Sequence, residues 1–127
     1  TATFKLVLTS VPLDFDVGDD AWSSFQTERA KLFAGLTGIR GLVVLTADQH
    51  WFAAHVHEHG IREFQFGPLA RDTRMPGPAA AGVLARAVAY NFGAITIDGE
   101  TISISAVGEG GEILFATTLT ADDLTTI

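Results

Sequence analysis

With 127 residues, 47% of them apolar and 18% charged, the chain has the make-up of one folded domain with a core of its own. A net charge of −7 and only eight scattered basic residues argue against nucleic acid as a partner, because phosphate neutralisation needs clustered Lys and Arg. No apolar stretch approaches the roughly 20 residues of a spanning helix, so no membrane partner is expected, and the lack of cysteine removes disulfides, thiolate metal sites and cysteine nucleophiles together.

The sequence begins at Thr1, with a strand-like run from Phe4 and neither a charged leader nor a cleavage site. A natural domain can begin this way after trimming; a piece of a longer chain is expected to begin this way as a rule. Residues 3–10 (TFKLVLTS) read as a strand, closed by Pro12, which cannot donate to a ladder. Residues 13–20 (LDFDVGDD) read as an acidic loop. Asp14, Asp16 and Asp19 hint at a calcium loop, but Gly18 falls at the fifth position rather than the sixth, and Phe25 takes the twelfth, where a bidentate Glu belongs. A solvated loop is expected instead, with Asp19 or Asp20 as the N-cap of a helix over residues 21–36. Trp22, Phe25, Arg29, Leu32, Phe33 and Leu36 recur at helical spacing and form one stripe to lay on a sheet. Gly35 and Gly38 supply the stop.

Residues 42–45 (LVVL) are a continuous apolar run, rich in β-branched side chains and too short for a stable helix. Such a run reads as a strand buried on both faces, and it completes a strand, helix, strand unit. It ends abruptly in Asp48 and His50. Ligands and chemistry collect at the carboxyl ends of buried strands, so function is expected there first. Beyond it the pattern alternates. Phe52, Ala54 and Val56 face one way and Ala53, His55 and His57 the other, up to a turn at residues 58–60; residues 61–66 (IREFQF) return as the second arm of a hairpin. Residues 67–80, broken by Pro and Gly, read as a long loop, and residues 81–88 as a short helix. Three antiparallel strands follow at residues 91–98, 101–107 and 113–119, and residues 120–127 as a frayed tail. The fold class is therefore α+β, a mixed or antiparallel sheet with one main helix.

Asp48-x-His50 sets an oxygen and a nitrogen donor two residues apart, a pair suited to a hard or borderline cation. Taken alone, the larger share of such pairs are an Asp capping a turn and a His held by backbone. His55 and His57 share a face, but a zinc site needs three or four ligands, and an exposed strand face is the expected explanation. No G-x-S-x-G elbow marks a serine hydrolase, and Gly108-x-Gly110-Gly111 joins strands rather than opening a phosphate-binding helix.

Several segments in order resemble the C-terminal part of the alkaline phosphatase D family of calcineurin-like metallophosphoesterases. They are Phe4-Lys5-Leu6-Val7-Leu8-Thr9-Ser10-Val11-Pro12, the helix pattern Trp22-x-x-Phe25-x-x-Glu28-Arg29, the stretch Val43-Val44-Leu45-Thr46-Ala47-Asp48-Gln49-His50-Trp51, the segment Glu63-Phe64-Gln65-Phe66-Gly67-Pro68-Leu69, and Asn91-Phe92-Gly93 with its following D-G hairpin. The resemblance covers most of the chain. It implies part of an αββα sandwich, in which residues 1–127 are a single C-terminal segment. It further implies a binuclear centre of divalent or trivalent ions (Fe, Ca, Zn or Mn) that hydrolyses phosphate esters, with Asp48 and His50 as catalytic metal ligands, and a secreted or periplasmic setting. Ala47 stands where the family has Gly. The family's other ligands lie N-terminal to everything in this sequence. Two alternatives stand beside this one: a non-catalytic binding or interaction domain, and an independent small hydrolase using the histidine patch. The expected partners are a phosphate ester and either the N-terminal half of the same enzyme or a second copy.

Overall fold

The structure is a computed structural model that describes residues 2–14 and 21–127. Its pivot is β2 (Leu42–Thr46), which lies inside a five-stranded sheet ordered β1-β2-β4-β3-β5. β1 (Lys5–Leu8) and β4 (Arg62–Gln65) run parallel to β2, one on each side; β3 (Phe52–Val56) is antiparallel to β4 and to β5 (Val83–Ala87). α1 (Gln26–Leu36) lies in the connection from β1 to β2. The β3–β4 hairpin pairs Ala54 with Phe64 and His55 with Glu63, and it closes through a turn at Glu58–Gly60, where His59 and Gly60 take φ values of +61° and +72°. β6 (Asn91–Asp98), β7 (Thr101–Gly108) and β8 (Ile113–Thr120) form a separate antiparallel meander.

These elements stack as helix, five-stranded sheet, three-stranded sheet. Between the sheets, Val43, Phe52, Ala54 and Phe64 meet Ile102, Ile104 and Ala106. The Phe52 ring lies 5.2 Å from that of Phe115 and 5.7 Å from that of Phe66. On the opposite face, Leu42, Val44 and Ile61 receive Phe33, Leu36 and Leu13. β2 is covered on both faces, which is why residues 42–45 run unbroken by polar residues. Among the described residues, no helix is long and apolar enough to cross a membrane.

Several expectations need correction. The helix begins at Gln26 rather than at residue 21. Trp22–Ser24 form a 3-10 turn, held where the Trp22 Nε1–H donates to Thr9 Oγ1 at 3.1 Å, and Phe25 takes the N-cap position without a capping side chain. Asp19 and Asp20, the expected caps, and Asp16 lie outside the described residues. The stripe also narrows: Phe33 and Leu36 are buried, whereas Phe25 is exposed. Gly35 lies within α1, and the stop falls to Gly38, at φ +77°. Residues 81–88 hold β5 instead of a helix. Leu, Ala and Arg favour helix locally, but pairing with β3 satisfies a whole ladder and overrides that preference.

The tail is anchored. Ala121, Leu124 and Thr126 are buried, and the segment crosses the α1–β2 connection with backbone bonds from Gly41 N–H to Ala121 O and from Leu42 N–H to Leu124 O, both 3.1 Å. Thr126 Oγ1 donates to Leu36 O at 2.6 Å and accepts from Ile39 N–H at 2.8 Å.

Candidate functional site

At the end of β2 the chain makes two abrupt reversals. Asp48 has φ +80° and His50 has φ +65°, left-handed values that cost a residue with a side chain of order 1 kcal/mol each. Ala47 is not left-handed, so its methyl group carries no backbone strain. The strain sits on the two candidate ligands themselves. Asp48 is exposed, and one of its oxygens accepts from Gln49 Nε2 at 3.1 Å. His50 Nδ1 lies 2.7 Å from the Asp72 carbonyl oxygen. A carbonyl only accepts, so Nδ1 carries a proton, and in the neutral ring that leaves the lone pair on Nε2, as in a metal-ready imidazole. His50 O in turn accepts from Arg74 N–H at 3.1 Å, which ties the loop of residues 67–82 to the strand end.

Asp48 and His50 border a cleft of about 430 Å³ whose walls come from Phe66–Arg71 and from the first residues of β6. Asn91 braces those walls. Its Oδ1 accepts from Gly67 N–H at 3.0 Å, its Nδ2 donates to Gly67 O at 2.6 Å, and its backbone N–H bonds Pro68 O at 3.1 Å. Gly93 is required for a different reason. A Cβ there would come within 2.6 Å of the Phe66 ring.

The donors of Asp48 and His50 fit a metal ion by type and by the position of the imidazole proton. Two donors do not close a coordination sphere. Among the described residues, no group of three or more His, Asp or Glu side chains is placed to hold a metal.

His55 and His57 do not join that pair. His55 is the fourth residue of β3 and His57 follows its last, so both lie at the other end of the strand, separated from His50 by roughly the 17 Å that five strand residues span. Nor do they form an exposed face, as expected. His55 is buried, the His57 side chain is nearly so, and the two rings stack at 4.8 Å with 20° between their planes. Both are enclosed because the hairpin face that carries them is covered from two sides, by Phe33 of α1 edge-on against His57 and by the Pro76–Ala80 part of the loop beside His55. His57 Nε2 meets Glu63 Oε2 at 2.6 Å. The fully buried Glu63 carboxylate also accepts from Thr46 Oγ1 at 2.5 Å and from Leu13 N–H at 3.3 Å. Burial first, then the charges of His57 and Arg86, pushes His55 down to about 4. Arg29 lies 4.1 Å over the Phe33 ring and pairs with Asp14 at 2.6 Å and Glu58 at 3.0 Å.

Sequence reasoning passed over Glu63, Asn91 as a brace, and Arg71 at the rim. For Glu63 a signal existed, since the hairpin register sets an acid directly across from His55. Compared with known proteins, the chain matches no family model and no curated relative.

Proposed function

We propose that the chain is the C-terminal segment of a metal-dependent phosphatase or phosphodiesterase of the alkaline phosphatase D kind, built on part of its αββα sandwich. It contributes Asp48 and His50 to a two-metal centre that the N-terminal half of the same enzyme completes. One observation carries this proposal. Both donors stand at the carboxyl end of a strand buried on both faces, in strained left-handed backbone, with the His50 lone pair set on Nε2. Strain of this kind persists where the surroundings over-determine a residue, and it clusters at functional sites. Fe, Ca, Zn or Mn ions bound there would act as Lewis acids toward the phosphate ester. The part of this chain is to hold the two donors rigidly on the sheet and to wall the cleft beside them.

The same interlayer core supports a missing half. Phe4, Leu6 and Leu8 share the sheet face that meets the second layer, and only Phe4 is covered: Leu6 is 39% exposed and Leu8 75%. On the facing sheet, Ile97 of the edge strand β6 pairs with the buried Ile102 yet is 52% exposed. The sandwich is thus open along β1 and β6. A non-catalytic interaction domain on the same scaffold would share this open edge, and metal binding separates the two readings. Calorimetric titration with Mn²⁺ or Zn²⁺ should find weak binding that Asp48→Ala and His50→Ala each abolish. Tight stoichiometric binding untouched by either substitution would contradict the assignment.

A further inference from the structure

We propose that the cleft beside Asp48 and His50 selects phosphate esters that carry a flat apolar group. This rests on the phosphoester reading above and adds the substrate class. At about 430 Å³ the cleft is in the size range of organic-ligand sites and far larger than a bare phosphate needs. Its two components are chemically distinct. Phe66, Pro68, Leu69 and Phe92 make an apolar wall, on which Leu69 is 76% exposed and Phe92 49%. Large apolar side chains gathered in a concave surface are a place for a ligand to cover. Arg71 lines the same cleft, and among the described residues no carboxylate pairs with it. A guanidinium matches two phosphate oxygens at once, whereas the Asp48 carboxylate repels an anion. With no metal bound, the phosphate is therefore drawn to Arg71, with its organic group on the wall. The Asn91 brace holds the Gly67–Pro68 part of that wall in place before any ligand arrives, so little ordering opposes binding.

The test is a metal-free titration of the ¹⁵N-labelled chain by NMR with 1-naphthyl phosphate, glycerol 2-phosphate and 1-naphthol. Without metal, its outcome is independent of whether Asp48 and His50 are ligands. Naphthyl phosphate should bind about tenfold more tightly than glycerol 2-phosphate, the gain from covering one aromatic ring, with the largest shifts at Gly67, Ala70 and Gly93. Leu69→Ser and Phe92→Ser should each remove most of that preference and leave glycerol 2-phosphate unchanged. Arg71→Ala should weaken both esters. All three side chains are exposed, so the variants retain the core, which their spectra verify. Equal affinity for the two esters, naphthol binding as tightly as its phosphate, shifts mapping away from the cleft, or no binding at all would each overturn the proposal.

Discussion

His55 is the residue whose environment most changes its chemistry. Its ordinary value is 6.5, and within the fold it is held near 4, chiefly by burial. Between those two values the unfolded chain takes up a proton that the folded chain refuses. Stability is therefore complete above pH 6.5 and declines as the pH falls toward 4, by about 2–3 kcal/mol. Urea melts at pH 7 and pH 4.5 should show that loss, and His55→Phe should flatten it, since no imidazole remains to charge. An unchanged slope in the variant would assign the acid sensitivity to other groups. The position of Asp48 and His50 at a strand end was legible in the sequence because polarity breaks off a buried strand at a single point. The burial of His55 and His57 was not. Alternation places them on one face correctly, but whether a face is wet depends on α1 and the loop of residues 67–82, which arrive from distant parts of the chain.

Legibility follows the same physics among the elements. β2, the β3–β4 hairpin and the three C-terminal strands were readable because their periodicity is local and their turns carry Gly. β5 was misread because its Leu, Ala and Arg favour helix and only the β3 ladder makes it a strand. The tail was misread because its anchors are backbone bonds to the α1–β2 connection, invisible in composition. Thr126 is the pin of that anchor, with one hydroxyl serving Leu36 O and Ile39 N–H. Thr126→Val keeps the shape and removes both bonds, leaving a buried carbonyl and a part-buried amide unmet. It should cost about 1–3 kcal/mol in chemical denaturation. A loss below a few tenths of that would mean the tail adds little to the fold.

For the whole molecule, the decisive feature is the open side of the sandwich along β1 and β6. Leu6 and Leu8 alternate with the inward-packed Phe4, and Ile97 pairs with the buried Ile102, yet all three are exposed. Among the described residues β1 pairs with β2 alone, which leaves its other backbone edge unpaired there. Uncovered apolar edges of this kind draw in a partner strand. Light scattering at micromolar concentration should give the isolated chain a mass above that of a monomer, and Leu8→Lys should return it to monomer. A clean monomer from the unaltered chain would mean the edge is tolerated. The central claim is that catalysis needs a second half to complete the ligand set begun by Asp48 and His50, and it is tested most directly by assaying the isolated chain against a chromogenic phosphate ester with Mn²⁺, Zn²⁺, Ca²⁺ or Fe³⁺ added. Two donors predict no hydrolysis above that of the metal alone. Turnover by the isolated chain that vanishes in neither Asp48→Ala nor His50→Ala would contradict the claim and place a complete active site elsewhere in the molecule.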